Sequence, residues 1–152
     1  MSFQWRNGFV ATALLIVGIL LLAGSVPAHH SQAVYDEDTL VTIKGTVTQF
    51  EFINPHVIIH LDVKDDKGNT DNWLCFSAPP GVEARAGWTA DMFKPGEQLT
   101  VQGFAEKSGR KVMTGMKHIR ANGEEVTEAY TEKQIYQGYL DRKAAREKEQ
   151  GK

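Results

Sequence analysis

Residues 40–52 read LVTIKGTVTQFEF. Val41, Ile43, Gly45 and Val47 fall on one side of this stretch, and Thr42, Lys44, Thr46 and Thr48 on the other. A period of two with β-branched residues describes a half-buried strand. Past Val47 the apolar set changes side, to Phe50 and Phe52. A slip of one residue exchanges the two faces of a strand. A bulge or sharp bend is therefore expected near Thr48, with Gly45 easing it. A first strand bent this strongly is what closing a small sheet into a barrel requires.

The segments downstream agree with a barrel. In residues 56–64, Val57, Ile59, Leu61 and Val63 alternate with His56, Ile58, His60 and Asp62, so the first set is expected inside and the second outside. Asp65-Asp66-Lys67-Gly68-Asn69 reads as a hairpin turn. Residues 70–77 form the third strand, which Pro79-Pro80-Gly81 stops, and residues 82–88 have room for a short helix only. After the turn Lys94-Pro95-Gly96-Glu97 come strands over 98–104 and 111–120, ended by Ala121-Asn122-Gly123. Five strands with a helix between the third and fourth resemble the OB-fold, a partly open five-stranded barrel. The expected class is mainly β: an OB-like five-stranded small barrel with that short helix, plus a charged C-terminal helix. Residues 124–150 are rich in Glu, Lys, Gln and Ala, and the pairs Ile135/Tyr139 and Tyr136/Leu140 are spaced i,i+4. A helix over 127–140 is expected there, docking on the barrel or holding a partner, with the last ten residues frayed.

Upstream the character changes. Arg6 is the only charge before Asp36, and an apolar run of about 14 residues from Phe9 to Leu22 precedes Val26-Pro27-Ala28. This is the layout of a secretory signal, and the run falls short of the roughly 20 apolar residues that span a bilayer. Cleavage is expected before His29, with a cut before Val26 as the alternative. The expected organisation is a cleaved signal over 1–28, an OB-like barrel domain over 29–123 and a charged helical extension over 124–152. The mature protein is expected in the periplasm or secreted, with no membrane attachment after cleavage.

Lys and Arg number 17 against 19 Asp and Glu, a net charge of −2. Neither a basic excess nor a basic stripe is evident, so no nucleic-acid partner is expected. Cys75 is the only cysteine, which excludes an internal disulfide.

The chain from His29 to about Gly123 resembles a family of small exported bacterial proteins of uncharacterised function. Three stretches carry the match. The first is His29-His30-Ser31. The second runs from Gly45-Thr46-Val47 through Asn54-Pro55-His56 to His60-Leu61-Asp62-Val63-Lys64-Asp65. The third runs from Gly87-Trp88-Thr89 through Lys94-Pro95-Gly96-Glu97 to Val101-Gln102-Gly103. The resemblance implies a fold and export but no activity. Cys75, after Trp73-Leu74, and the charged C-terminal extension depart from the family's pattern.

Four of the five histidines lie between His29 and His60. If the mature chain begins at His29, its α-amine and imidazole could chelate one ion, as in the histidine-brace copper sites this start resembles. His30, His56 or His60 would supply a further ligand, and copper or zinc suits such nitrogen donors. The amine must lose a proton, with a reference pKa of about 7.7–8, so such a site weakens as pH falls. His56 and His60 are four residues apart on one strand face, roughly 13 Å, which forbids both binding one ion. His56, beside the Asn54-Pro55 break, is preferred, giving His29, His30 and His56 as the candidate metal ligands. The competing reading is plainer: a His-His terminus that binds metal without function, and strand histidines that only make hydrogen bonds.

Met92, Met113 and Met116 read as core filling, and Cys75 as a buried, inert thiol. Of Phe50, Phe52, Trp73 and Trp88, at least three are expected in the core rather than on a stacking platform. No nucleophile–base order, paired carboxylate motif or phosphate loop is visible. The sequence thus reads as a non-catalytic exported binding module. It takes copper or zinc at its terminus or, alternatively, acts metal-free as an accessory domain whose C-terminal helix contacts a protein partner.

Overall fold

A computed structural model describes residues 34–151. The chain runs β1 (Tyr35–Phe52), β2 (Val57–Lys64), β3 (Thr70–Phe76), α1 (Pro80–Glu83), a 3-10 turn (Ala84–Ala86), β4 (Gln98–Glu106), β5 (Val112–Arg120) and α2 (Tyr130–Gln150). The strands close into a barrel in the order β1-β2-β3-β5-β4. All neighbours are antiparallel except β3 and β5. This is an OB-like five-stranded barrel with its short helix between β3 and β4.

β1 is shared between two partners. Leu40 to Thr46 pair with β4, and Thr46 to Phe52 pair with β2. Between them the register slips: Val47 opposes Leu61 and Gln49 opposes His60, leaving Thr48 as the extra residue. The slip turns Phe50 and Phe52 to the side that Val47 already occupies, and all three pack in the main core. Ile43, Val57, Ile59, Leu61, Cys75, Trp88, Phe93, Leu99, Val101, Met113 and Val126 are the other buried residues of that core. Trp88 is buried, while Phe50, Phe52 and Trp73 are half-buried against the same cluster, so none of the four forms an outer platform. The expected hairpin turn forms, with Asp65 accepting hydrogen bonds from the backbone N–H groups of Lys67 and Asn69.

A second slip lies in β5. Gly103 opposes Gly115 but Gln102 opposes Lys117, so Met116 is the extra residue. Met113 and Gly115 face the interior, Met116 turns out, and His118 turns in. A methyl on Gly103 would meet the Thr114 carbonyl oxygen at 1.7 Å, so the strands approach here as only glycine permits. Met116 joins Phe104 and Tyr139 in a second cluster outside the barrel wall, with Tyr35, Leu40, Ile135 and Tyr136 around it. Ile135, Tyr136 and Tyr139 of α2 are thereby spent on the barrel, while Leu140 stays exposed. Tyr136 also donates a hydrogen bond to Gln102 at 3.0 Å.

Several element boundaries correct the sequence reading. The strand expected from residue 40 starts at Tyr35, irregularly paired up to Leu40, because Tyr35 is covered by the second cluster. The helix expected over 82–88 is one turn that begins at Pro80, a residue preset for a first helical turn, and a 3-10 turn stopped by Gly87 at φ 96°. The C-terminal helix begins three residues later than expected and continues to Gln150 rather than fraying. Its far half is tied to β1 by Arg142, which donates to the Glu37 carbonyl, and by Arg146 on Asp38 at 2.5 Å. Among the described residues no helix is long and apolar enough to cross a membrane.

The chain between Gly123 and α2 belongs to the barrel. Arg120 N–H donates to the Glu124 carbonyl and Val126 N–H to the His118 carbonyl, each at 2.9 Å, and Glu125 bridges Ile119. Val126 is a core residue. Residues 124–126 thus extend the wall along β5, and a domain boundary at residue 123 would cut through packed structure.

Candidate functional site

Of the metal ligands read from sequence, His29 and His30 lie outside the described residues. His56 follows the cis Asn54-Pro55 bond in the β1–β2 loop. Its Nδ1 lies 3.2 Å from the Ser77 carbonyl oxygen, and its ring stands edge-on to Phe76 at 6.3 Å. A carbonyl only accepts, so Nδ1 is the donor. His60 is engaged elsewhere, its Nε2 on Glu51 Oε1 at 2.5 Å. Among the described residues no group of three or more His, Cys, Asp or Glu side chains is arranged to hold a metal ion. Cys75 is fully buried, and burial pushes its thiol up to about 12, in keeping with an inert side chain.

The unexpected chemistry lies at the barrel end that α1 and the C-terminal segment close. Glu83, His118, Glu128 and Glu132 are all buried there, Glu83 and His118 completely. The slip at Met116 sends His118 inward. Gly115 leaves room for the ring, since a methyl there would lie 2.6 Å from His118 Nε2. Trp88 packs on the imidazole at 5.1 Å and Phe93 at 6.2 Å. Glu128 grips His118 twice: Oε1 accepts from the backbone N–H at 2.9 Å and lies 3.0 Å from Nδ1, with Oε2 at 3.2 Å. Facing a carboxylate, Nδ1 is the donor. Trp88 fastens the same segment by donating its indole N–H to the Thr127 carbonyl at 2.8 Å.

Glu83 ends α1. Its Oε1 accepts from Ala78 N–H at 3.1 Å, while its Oε2 makes no hydrogen bond. Burial first, then the negative Glu132, push its carboxyl up to about 8, against the pull of the Ala78 N–H and with a smaller push from Glu128. Glu83 therefore holds its proton at neutral pH. Glu132 sits in the first turn of α2, where the helix dipole favours a negative charge, and Thr131 Oγ1 donates to it at 2.7 Å. Ser77 Oγ and His118 Nε2 are the other buried polar atoms without a hydrogen bond among the described residues.

Sequence alone places His118 in the fifth strand, Glu83 in the short helix and Glu128 and Glu132 in the charged C-terminal helix, and marks none of them as a site. The signal is weak: in VMTGMKHIR the apolar residues Val112, Met113, Met116 and Ile119 keep no single parity, which marks the strand as irregular without placing the slip.

The outer face of β2 and β3 offers a third feature. Ile58, Leu74 and Phe76 are half-buried and point away from the core, beside His56 and His60.

Fold and topology define a small OB-like barrel domain with a packed C-terminal helix. The chain belongs to a family of unknown function (DUF6152), whose model matches residues 17–117. Glu83 falls within that span; His118, Glu128 and Glu132 fall beyond it. No curated protein matches the chain. Among solved structures it is similar to the mitochondrial single-stranded DNA-binding protein Rim1 of S. cerevisiae, at 13% identity over 50% of this chain and 87% of that chain, with a TM-score of 0.39.

Proposed function

We propose that this protein is an exported, non-catalytic binding module of the bacterial periplasm. Its mature N-terminus, His29 with His30, holds a copper or zinc ion with His56 as the ligand from the barrel. The carrying observation is the His56 ring. Its Nδ1–H is fixed on the Ser77 carbonyl, the kind of outer hydrogen bond that orients metal-binding histidines. The compartment rests on the signal-like residues 1–28.

The test is native mass spectrometry of protein exported by its own leader and titrated with copper(II) or zinc(II). One retained ion on a chain beginning at His29, lost in His29→Ala and weakened about tenfold or more in His56→Ala, is the expected result. A chain beginning at Val26, or undiminished binding when one residue is added ahead of His29, would remove the metal from the proposal.

A second, metal-free reading is docking of a protein partner. It is supported by the outward Ile58, Leu74 and Phe76, on the strands that OB-folds use for ligands. Tyr130 and Leu140 on α2, 73% and 37% exposed, add to it. Under this reading Phe76→Ser and Tyr130→Ala lose a co-purifying protein from periplasmic extracts, and His29→Ala keeps it. Identical pull-downs from all three variants and the native chain would refute it.

A further inference from the structure

β1 changes partners along its length and leaves one edge bare. One edge lies against β4 from Tyr35 to Thr46, and the other lies against β2 only from Thr46 to Phe52. Upstream of Thr46 that second edge meets no strand among the described residues. Val47 sets the alternation of the backbone groups. Its N–H donates to the Glu97 carbonyl and its carbonyl accepts from the Gly96 N–H, each at 2.8 Å, on the β4 side. In an antiparallel ladder these groups point to opposite edges at successive residues. Those of Gly45, Ile43 and Val41 therefore face β4, and those of Lys44, Thr42 and Leu40 face the bare edge. No loop backbone bonds to them among the described residues.

Both ends of this bare stretch are defined. At Gly45, β2 passes so close that an added methyl would lie 2.7 Å from the Asp62 carbonyl oxygen. Upstream of Leu40, α2 guards the strand: Arg142 donates to the Glu37 carbonyl and Arg146 pairs with Asp38. Between these limits Thr42 and Lys44 are exposed and Leu40 is half-buried. An unpaired strand edge is a template for another chain, and proteins blunt such edges with proline, a bulge or a charge. Residues 40–44 (LVTIK) hold no proline, and the bulge at Thr48 lies where β2 already covers the strand. Lys44 is the one charge among them.

We propose that the bare edge of β1 at residues 40–44 is an interface between two copies of this chain, whose β1 strands pair antiparallel about a two-fold axis and join the two barrels into one continuous sheet.

Charge selects this occupant and its direction. The strand carries Asp36, Glu37 and Asp38 at one end and Lys44 at the other. Antiparallel pairing brings Lys44 of each copy alongside the acidic end of the other, twice in one two-fold interface. Parallel pairing would set acid against acid, which destabilises a strand pair. A second copy therefore supplies the complement that this edge requires, and Lys44 turns from a blunting charge into a matching one. The residues between are strand formers, Leu40, Val41, Thr42 and Ile43, suited to cross-strand contact. The interface uses neither His56 nor the face of Ile58, Leu74 and Phe76, so it goes beyond both readings of function and is tested apart from them.

The experiment is sedimentation velocity on the full mature chain at pH 7 over a range of concentration. The expected result is a reversible monomer–dimer equilibrium. Lys44→Glu sets like charges together at both ends of the interface and is expected to weaken the dimer about tenfold or more. Thr42→Pro takes a donor from the bare edge and none from the β4 ladder; it is expected to give a monomer whose circular dichroism matches the native chain. Lys44→Glu, at an exposed side chain, stands independently should Thr42→Pro not fold. Phe76→Ser, on the other face, is expected to dimerise as the native chain does. A native chain that stays monomeric at the highest concentration reached would overturn the proposal. So would assembly beyond the dimer, or a dimer that Lys44→Glu leaves equally tight.

Discussion

Replacing Gly115 by alanine tests the fit around His118. The added methyl would lie 2.6 Å from His118 Nε2, 2.8 Å from Cε1 and 3.3 Å from Val101 Cγ1. The ring has nowhere to go: it is fully buried, Trp88 is 5.1 Å away and Glu128 holds Nδ1 and the backbone N–H. Overpacking a core costs about 1–3 kcal/mol, and losing a buried hydrogen bond about 1–3 kcal/mol. Against this, alanine stiffens the unfolded chain by about 0.4–1 kcal/mol. The balance is a loss of about 1–6 kcal/mol. At a urea m-value of about 2 kcal/mol/M, the unfolding midpoint falls by roughly 0.5–3 M. In a His118→Ala background the methyl meets no ring, and the same change is expected to be neutral or to stabilise by about 0.5 kcal/mol. The assay is urea unfolding at pH 7 followed by circular dichroism. An equal penalty in both backgrounds would refute the reasoning, because the cost would then come from the strand and not from the imidazole.

Other perturbations have definite outcomes. Phe104→Ala empties the seat of α2 and should cost about 3–5 kcal/mol, with helical ellipticity lost before the strand signal on titration with urea. Arg146→Ala removes an exposed pair with Asp38 and should change stability by less than about 1 kcal/mol in the same assay. Cys75 should react with a water-soluble thiol reagent at pH 8 only at the rate of unfolding; rapid labelling of the folded protein would show the strand is open there.

The barrel was legible because most of its wall obeys one rule. β2 alternates without a fault, and the parity change near Thr48 announced the bend of β1 that closes the sheet. The start of β1 was not legible, since Tyr35 through Thr39 owe their place to a helix about a hundred residues away. Nor was the buried polar group. Glu83 adjoins a stop signal, and Glu128 and Glu132 stand in a segment whose composition is that of a solvated helix. What buries them is tertiary: a strand-like run after Gly123, Trp88 holding Thr127, and the turn of β5 at Met116. Composition weighs each residue alone and is blind to such pairings.

The two extra residues, Thr48 and Met116, have a consequence for how this chain can change over time. Each acts like a reading-frame marker for the pleat: every side chain beyond it is assigned to a wall by its distance from that marker. Pairing that ran regularly through Met116, without the slip, would present Lys117 to the interior and His118 to the outside, without altering any residue's chemistry. Length in the turns at 65–69 and 107–111 is free to drift, since no face depends on it. Length in β1 and β5 is not. The spacing from Thr48 to Phe52 and from Met116 to His118 is as much a part of the fold's specification as the identity of the residues there.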